Sequence, residues 1–535
     1  MVRTLPFHGR NMSSILIGGI NFLKYQMDLI ILKSFIPESF LSLCILFQLI
    51  YNVKMVNNLN YNFPIIDKEV FYQTIFVIAS LFFLYYNLKI EGFFPNYLFV
   101  NDESTRIIKI FVLLSCFFIL SIVLQSFSLQ TLNFFEFFII FLLSLFSLLL
   151  LVSSSDLISF YLIIEMQSLC FYILSSFKRD SSFSSEAGLK YFISGAFISG
   201  IFLFGCTLLY GTLGTLNFNN LNLLFSFNLD LGHSVFELFV KIGALFITST
   251  LLFKIACAPF HFWSPDVYDG SPLSSTIIFS ITPKISLVYF FIKWISCLNL
   301  IFFDIENILL FCGIFSAFLG TFYSLSQKRL KKLIIYSSIS QIGFIVTGLS
   351  LNTLNGHSAV LFFLFIYLIT SILIWNHFSL FYLFQHNINS FNNRNSTSLF
   401  LSSLTNFFET NKIWAFSFLI IFFSIAGIPP LTGFLAKVLI LSEVVNSQNI
   451  LPAVLLIIIS SISVFYYIRV IKILFFEPKI SGSYYEKFQI VFFNSFLDYI
   501  YLSISFLLFL LLTTFFYPNI FLLFSQYLIL NISGF

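Results

Sequence analysis

Four ionisable side chains lie deep inside apolar segments of this sequence: Glu165, Lys254, Lys284 and Lys437. If those segments cross a membrane, each charge costs at least about 2.5 kcal/mol, so each is a candidate for function. Desolvation favours the neutral form of a lysine, whereas a nearby carboxylate favours the charged form. A carboxyl group that moves relative to a buried lysine could therefore make that lysine load or release a proton. The residue types indicate proton transfer.

Glu165 lies midway along an apolar run with hydroxyl-bearing side chains at helical spacing. Tyr161, Glu165, Ser168 and Tyr172 follow i, i+4, i+7, i+11 spacing, which puts them on one stripe of a helix. We expect this stripe to face protein rather than lipid. The alternative is a protonated glutamic acid that is satisfied by hydrogen bonds within the bundle.

Lys254 precedes Pro259 by about one and a half turns of an apolar helix. Proline removes a backbone donor and frees carbonyl groups, which at membrane depth is tolerated only against protein or a water-filled cavity. The pattern therefore predicts a broken helix with water beside Lys254. The alternative is a lysine whose ammonium reaches the membrane interface.

Lys284 and Lys437 occupy two further apolar helices. Lys284 stands about twelve residues into its predicted helix, near the midplane at ~1.5 Å per residue. Lys437 follows the Pro429–Pro430 break by about two turns, and the apolar run ends near Leu441, so an interfacial position is a stronger alternative for Lys437.

Two histidines are secondary candidates. His261 follows Pro259 and could relay protons because imidazole titrates near neutral pH, although capping the broken helix is an equal alternative. His377 is a weaker relay candidate in a later apolar run. Ionisable residues near predicted helix ends are interpreted as interfacial; they are Lys293, Arg469, Lys472 and Glu443.

The composition supplies the membrane that this chemistry requires. The chain has 535 residues, 59% of them hydrophobic and 9% charged, with a mean hydropathy of +0.97. A soluble chain of this size needs far more polar surface, so the protein is predicted to be an all-α integral membrane protein in a lipid bilayer. Apolar runs of the ~20 residues needed for a crossing recur along the chain and predict about fourteen transmembrane helices. The net charge of +4 is too small to predict a nucleic-acid partner.

The sequence divides into five predicted regions. These are an N-terminal extension (1–28), helices 1–3 (29–127), helices 4–8 (134–296), helices 9–13 (305–475) and helix 14 (492–522). Most loop lysines and arginines follow odd-numbered helices, so those loops are predicted to face the negative, matrix-like side. A polar stretch over 387–412 is interpreted as an exposed loop or linker without an assigned function.

The two central regions are predicted to be inverted repeats of each other. Residues 255–259 read IACAP and residues 425–429 read IAGIP, each a helix interrupted at proline with a lysine nearby. The two breaks are five helices apart, and an odd-numbered repeat must insert upside down. The sequence therefore predicts two antiporter-like halves with broken helices 7 and 12.

Motifs for cofactor or metal chemistry are absent from the sequence. There is no Walker A loop, no dinucleotide fingerprint and no nucleophile with a paired base. The seven cysteines are scattered without CxxC spacing, so neither a zinc site nor an iron–sulfur cluster is expected. We expect no cofactor and no metal in this chain.

Several long stretches resemble subunit 2 of the proton-pumping NADH:ubiquinone oxidoreductases, respiratory complex I, in their mitochondrial form. The resemblance covers about residues 130–475 and is carried by IEMQSLCFYILSSFKRD, SSEAGLKYFISGAFISGIFLFGCTLLYGTLG, FKIACAPFHFWSPDVYDGSP, QKRLKKLIIYSSISQIGF and SIAGIPPLTGFLAK. It implies an antiporter-like subunit of an oxidoreductase in the mitochondrial inner membrane, with other membrane-arm subunits as partners. It also implies that flavin, iron–sulfur clusters and quinone belong to other subunits.

The same resemblance assigns roles to the buried ionisable residues. It implies that Glu165 tunes the charge of Lys254, and that protons pass through Lys284 along a hydrated axis to Lys437. One departure is Gln341, where relatives commonly have histidine, so a titratable relay is not expected at that point. Two alternatives stay open: a subunit of a multi-subunit cation/proton antiporter, and a structural membrane-arm subunit whose lysines only pack and pair.

Overall fold

The computed structural model describes most of the chain. The described residues are 34–56, 64–86, 92–93, 98–130, 136–226, 235–298, 302–391, 400–405, 408, 411–477 and 495–533. The N-terminal extension predicted for 1–28 lies outside these residues, as does part of the polar stretch over 387–412.

The described residues form eighteen α-helices, which confirms the all-α membrane fold. The helices are α1 Ile36–Val56, α2 Pro64–Tyr86, α3 Glu103–Gln130, α4 Glu136–Ser153, α5 Leu157–Ser175, α6 Ser182–Leu213, α7 Phe218–Ser226, α8 Val235–Ile255, α9 Trp263–Gly270, α10 Leu273–Leu298, α11 Phe302–Ser326, α12 Leu330–Leu349, α13 Leu354–Phe391, α14 Lys412–Ala426, α15 Thr432–Asn446, α16 Ile450–Phe475, α17 Ser495–Phe516 and α18 Pro518–Ser533. A two-residue antiparallel ribbon, β1 Gly92–Phe93 with β2 Val100–Asn101, precedes α3.

The predicted count of fourteen spanning helices is not confirmed. In the described part of the chain, eleven helices are long and apolar enough to cross a membrane, or twelve if the bent pair α17–α18 is one span. One difference arises at the predicted helix 12, which is interrupted and forms the two half-helices α14 and α15. Another arises at the predicted helix 2, because only Tyr72–Leu84 of α2 reads as a short apolar helix.

The prediction of one continuous helix over 492–522 is wrong. The chain bends by 89° between α17 and α18, at Tyr517. Pro518 begins the second helix, where its missing N–H is not needed and its fixed φ suits the first turn. The proline therefore begins a new helix at a point where the sequence predicted that one helix would continue.

Helix α10, which carries Lys284, is the centre of the molecule. All of its residues are buried inside the protein except Lys293 and Ser296, which are partly buried. Of the α13 span that packs against it, 94% is buried, whereas only 39% of the α16 span is covered. The helix that holds the midplane lysine is thus surrounded by protein rather than lipid.

Helices α11 and α12 approach each other closely because glycines line their contact. A Cβ at Gly320 would lie 2.6 Å from the backbone nitrogen of Ser340, and a Cβ at Gly343 would lie 2.6 Å from that of Ala317. Small residues at such contacts are the usual device for packing membrane helices. This contact fixes α12, which carries Gln341, against α11.

The helix ends gather on two faces, which we call the basic face and the opposite face. On the basic face, Arg329 pairs with Asp269 at 2.8 Å, Lys190 pairs with Asp266 at 3.0 Å, and Arg469 donates to the Leu325 carbonyl at 3.0 Å. The opposite face joins residues 98–103, 153–157 and 213–218 through the backbone bridges Phe99–Ser154 and Asp156–Asn217. Helix α10 runs from the basic face to the opposite face.

Candidate functional site

Helix α8 ends one residue after Lys254 in a Schellman motif. The Cys257 N–H donates to the Leu252 carbonyl at 2.9 Å, and the Ala256 N–H donates to the Phe253 carbonyl at 2.9 Å. Ala256 has a φ of 65°, the left-handed conformation that this motif requires. The Trp263 indole also donates to the Phe253 carbonyl, at 3.0 Å. Lys254 therefore lies in the last helical turn, at the carbonyl end of a half-helix, which favours a positive charge.

Helix α14 ends in the same motif, at the second predicted break. The Ile428 N–H donates to the Phe423 carbonyl and the Gly427 N–H donates to the Ser424 carbonyl, both at 3.1 Å. Gly427 has a φ of 80°. The left-handed residues are thus Ala256 and Gly427, so the two breaks correspond with a shift of one residue from the pairing that IACAP and IAGIP predict.

Lys437 approaches this second break from the helix that follows it. Its Nζ donates to the Ala426 carbonyl at 2.7 Å and lies 5.7 Å from the centroid of the Phe344 ring. Lys254 comes from the helix before its break, so the two lysines are not sequence equivalents. Both residues nevertheless lie beside the carbonyl end of a broken helix, where transporters often place cation sites.

Glu165 occupies the predicted stripe of α5, which begins at the N-cap residue Asp156. Its Oε1 atom is buried without a hydrogen-bond partner, and so is the Nζ atom of Lys254. The Glu165 charge nevertheless acts on Lys254, because the two groups are close enough for electrostatic interaction. Further along the stripe, Tyr172 packs over Gly195 of α6, where a Cβ would overlap the tyrosine hydroxyl. The carboxyl group and the amine are therefore neighbours without a direct hydrogen bond.

Lys254 and Lys284 line one small buried cavity. Its volume is about 20 Å³, enough for about one water molecule. Other polar side chains in its wall come from α5, α6 and α9; they are Gln167, Ser168, Tyr191 and Tyr268. Two lysines that are far apart in the sequence thus meet at a polar space the size of a water molecule. We call it the first cavity.

Lys284 is held by a tyrosine of α13. Its Nζ donates to the Tyr367 hydroxyl at 2.5 Å, and that hydroxyl donates to the Ser280 carbonyl at 3.2 Å. Pro283 cannot donate a backbone hydrogen bond to the Phe279 carbonyl, and the Tyr268 hydroxyl donates there instead, at 3.3 Å. Pro283 therefore fixes Tyr268 at the interruption of α10, while Tyr367 links Lys284 to the adjacent Ser280 carbonyl.

Tyr268 and Tyr367 also line a second cavity, again of about 20 Å³. Its other polar walls are Ser280, Ser337, Ser338, Gln341 and Ser371. Gln341 cannot carry a proton, but its amide and the serine hydroxyls can hold a water molecule. The position where relatives have histidine thus belongs to a polar space beside Lys284. Phe344, the ring next to Lys437, lies one turn beyond Gln341 on α12.

Neither histidine candidate lines the first or second cavity. His377 contacts the Leu373 carbonyl through Nδ1 at 2.8 Å and the Ser417 hydroxyl through Nε2 at 2.7 Å. A carbonyl only accepts, so Nδ1 carries a proton, and the ring bridges α13 and α14. His261 lies just before α9, whose N-cap residue is Phe262 and whose start has no side-chain cap; the His261 carbonyl accepts from the Ser264 N–H at 3.0 Å. The Nδ1 atom of the His261 ring is buried without a hydrogen-bond partner, so capping by this side chain stays a prediction.

The sequence did not single out Tyr268 and Tyr367. Tyr268 was overlooked because it follows the break in a polar stretch. Tyr367 does not stand out in the sequence, because the chain has 25 tyrosines and nothing in the residue type distinguishes this one from the others. The available signal for Tyr367 was Ser371, which lies one turn later on the same face of α13.

The transmembrane family of NADH:quinone oxidoreductases and Mrp antiporters matches residues 154–465, which is more than half of the chain. NADH-ubiquinone oxidoreductase chain 2 of Marchantia polymorpha is 35% identical over 455 residues, covering 83% of this chain and 88% of the relative. NADH-quinone oxidoreductase subunit N of Pelagibacter ubique is 32% identical over 450 residues, covering 84% of this chain and 90% of the relative.

Solved structures share the fold at lower identity. A chain of respiratory complex I from Thermus thermophilus superposes with a TM-score of 0.70 and 21% identity, covering 91% of this chain and 98% of that chain. A chain of the Mrp complex from Dietzia sp. gives 0.72 and 16%, covering 94% and 98%. This chain therefore belongs to the NADH:quinone oxidoreductase/Mrp antiporter transmembrane family.

Proposed function

We propose that this chain is an antiporter-like membrane-arm subunit of respiratory complex I, and that it moves protons through Lys254, Lys284 and Lys437. The observation that carries the proposal is the first cavity, which brings Lys254 and Lys284 to one polar space. A water molecule there would let a proton pass between two amines that do not touch. The relatives in Marchantia and Pelagibacter are named as subunits of NADH oxidoreductases that use ubiquinone or quinone, which supports membership in such a complex.

We propose that the charge of Glu165 determines whether Lys254 carries a proton. When the carboxylate is close, it favours the ammonium form of Lys254; when it withdraws, desolvation favours the neutral amine. Lys254 would then release its proton toward Lys284. This proposal draws support from the burial of both groups and from their electrostatic interaction without a fixed hydrogen bond.

Beyond Lys284, the proton path is proposed to run through the second cavity to Lys437. Tyr367 connects Lys284 to that cavity, and Ser337, Gln341 and Phe344 follow one face of α12 toward Lys437. Water on Gln341 and the serines would carry the proton where a histidine is missing. Phe344 is the apolar element between the second cavity and Lys437.

Electron transfer is proposed to take place in other subunits. The groups placed on the proposed path are lysines and a glutamate, which exchange protons and not electrons. Flavin, iron–sulfur clusters and quinone would therefore belong to partners in the membrane arm and beyond it. The proposed location is the mitochondrial inner membrane, supported by the resemblance to mitochondrial members; bacterial relatives belong to the same family.

A subunit of a cation/proton antiporter is the second candidate, because the Mrp structure shares the fold. At 16% identity that likeness extends to the fold alone. The curated relatives above 30% identity that cover most of the chain are NADH oxidoreductase subunits, which favours the first candidate.

The test replaces each central lysine in the assembled membrane complex. Lys254→Met and Lys284→Met keep an unbranched side chain of similar size and remove its charge. We expect normal assembly and a loss of protons translocated per electron pair in reconstituted vesicles. Lys472→Met, which changes an exposed lysine at the end of α16, is the control that keeps the wild-type ratio. Full translocation by both central variants, with normal assembly, would leave the lysines with a purely structural role.

A further inference from the structure

A third cavity lies at the opposite face, where α10 ends. Its volume is about 250 Å³, and its polar lining comes from four parts of the chain. The polar side chains that matter here are Lys293, His357, Asn219, Asn222, Ser155 and Ser296. A single water needs roughly 10–15 Å³ by this measure, so the space holds several waters. We call it the vestibule.

The vestibule lies at the face of the protein on which a proton pump would release its protons. Its lining includes Ser154, Ser155 and Asn352, which lie at helix ends away from the paired basic loops Lys190–Asp266 and Arg329–Asp269. Loops rich in lysine and arginine face the negative side of an energised membrane. The vestibule therefore faces the positive side, into which a proton pump discharges.

Two titratable side chains are poised in the vestibule wall. Lys293 is partly buried, donates to the Val152 carbonyl at 3.0 Å and lies 4.8 Å from the centroid of the Tyr289 ring. His357 is only 4% exposed; its Nε2 contacts Asn352 Oδ1 at 3.3 Å, and its Nδ1 is buried without a hydrogen-bond partner. An imidazole nitrogen without a protein partner, in the wall of a cavity this size, indicates water as its partner.

The charges packed around Lys293 are mixed in sign. Asp102, just before α3, acts on Lys293 as an attracting carboxylate, whereas Lys109 of α3 acts as a repelling cation. Lys109 is itself paired with Glu38 of α1. Among the described residues, further charged groups toward this end are Arg106 within α3, Glu103 beside Tyr527, and Asp156 next to Ser155. Attraction and repulsion oppose each other, so Lys293 is not locked in one charge state by a single partner.

An apolar layer separates the vestibule from Lys284. Lys293 follows Lys284 by nine residues, which is about 13 Å along α10 and roughly the opposite side of the helix. The residues between them include Leu287, Val288 and Phe291, all buried. A proton pump needs such a layer, because an open water path from the central lysine to the positive side would leak.

We propose that this cavity is the proton-release vestibule of the subunit, with Lys293 as the releasing amine and His357 as a second proton carrier. The inference rests on the proposed function. The Lys293 ammonium gives its proton to vestibule water and becomes a neutral amine, which takes the next proton from the Lys284 ammonium when the apolar layer is hydrated.

The first test uses a cysteine that the chain already has. Cys297 lines the vestibule, whereas Cys257 is fully buried near the α8 break. The probe is a charged, membrane-impermeant methanethiosulfonate, applied to one side of vesicles that hold the assembled complex in known orientation. We expect modification of Cys297 from the opposite face only, no modification of Cys257, and fewer protons per electron pair after labelling. Labelling should have no effect on Cys297→Ser protein. Cys297 that is modified from neither face, or from the basic face, overturns the proposal.

The second test separates proton release from a fixed positive charge. Lys293→Met and Lys293→Arg should both lower the number of protons per electron pair, because arginine keeps the charge but does not release its proton. Lys472→Met is the matched control. Full activity of Lys293→Arg overturns the proposal and makes Lys293 a structural cation. Binding of anionic lipid in the vestibule, together with normal pumping by the Lys293 variants, would also overturn the proposal of a proton-release site. Lys284→Met distinguishes a failure of the proposed function from a failure of the vestibule proposal. Normal pumping by Lys284→Met would refute the proposed function. Loss of pumping by Lys284→Met, together with normal pumping by the Lys293 variants, would refute only the vestibule proposal.

Discussion

The contact between Lys284 and Tyr367 defines the middle of the proposed proton path. A lysine 4% exposed at the membrane midplane needs an acceptor, and the Tyr367 hydroxyl supplies one at 2.5 Å. The sequence could predict Lys284, because a charge in an apolar helix contrasts with its neighbours. It could not predict Tyr367, which is 83 residues away and resembles many other tyrosines.

Tyr367→Phe is expected to impair proton transfer while it preserves the ring beside the ammonium. The lost hydrogen bond to a charged group is worth about 1.5–3 kcal/mol, which corresponds to a roughly ten- to hundredfold change in the Lys284 charge equilibrium. The measurement is the rate of proton translocation by the assembled complex. Tyr210→Phe, at an exposed tyrosine of α6, is the control. Equal rates for Tyr367→Phe and wild type would show that the hydroxyl has no part in the path.

His377 is expected to act in stability rather than in transport. Both of its ring nitrogens have partners in α13 and α14, and the ring packs against Trp414 at a centroid distance of 5.5 Å. His377→Ala should therefore lower stability by about 2 kcal/mol or more through two lost hydrogen bonds and lost packing. Thermal denaturation of the solubilised complex measures this effect. A loss of pumping at unchanged stability would instead restore the relay role that the sequence suggested for His377.

The two broken helices share a geometry that the letters of the sequence only approximate. Proline marks both breaks, so their existence was predictable from IACAP and IAGIP. The residues in the left-handed conformation are Ala256 and Gly427, which those five letters do not align. A Schellman motif is set by backbone hydrogen bonds, and it tolerates a non-glycine residue where tertiary packing compensates for the strain. The backbone motifs that end α8 and α14 therefore define the repeat better than the two five-letter segments of the sequence do.

A matched pair of substitutions tests this equivalence. Gly427→Ala should destabilise the protein by about 1–2 kcal/mol, because an L-residue in that conformation is strained and its Cβ would lie 3.2 Å from the Lys437 Nζ. Ala256→Gly should relieve the same strain and stabilise α8 by up to about 1 kcal/mol. Thermal denaturation of the two variants measures both effects. The same sign of change in both would refute the shared cap.

The molecule as a whole is a bundle in which α10 and α13 are enclosed and the other helices surround them. Composition predicted the membrane class, because hydropathy reflects the solvent that surrounds each helix, and the length of the apolar runs predicted that the crossings are helical. The number of crossings was harder to predict. Local hydropathy does not register a bend such as the 89° turn at Tyr517, nor the interruption between α14 and α15.

The orientation of the bundle is a prediction for the whole molecule. Lys328 is exposed on the basic face, next to the Arg329–Asp269 pair. An impermeant amine reagent should modify Lys328 from the negative side of sealed vesicles and not from the positive side. Mass spectrometry of the peptide around Lys328 gives the result. Modification from the positive side would invert the bundle and reverse the direction assigned to the vestibule.

Ordered water in the first cavity is the most direct test that Lys254 and Lys284 exchange a proton. A density map of the assembled membrane complex, at a resolution that shows ordered water, provides the measurement. We predict a water molecule between Lys254 and Lys284, and a second one among Tyr367, Gln341 and the serines of α12. A first cavity that is dry in every state of the working complex would contradict the proposed path, because the two amines would then have no means of exchange.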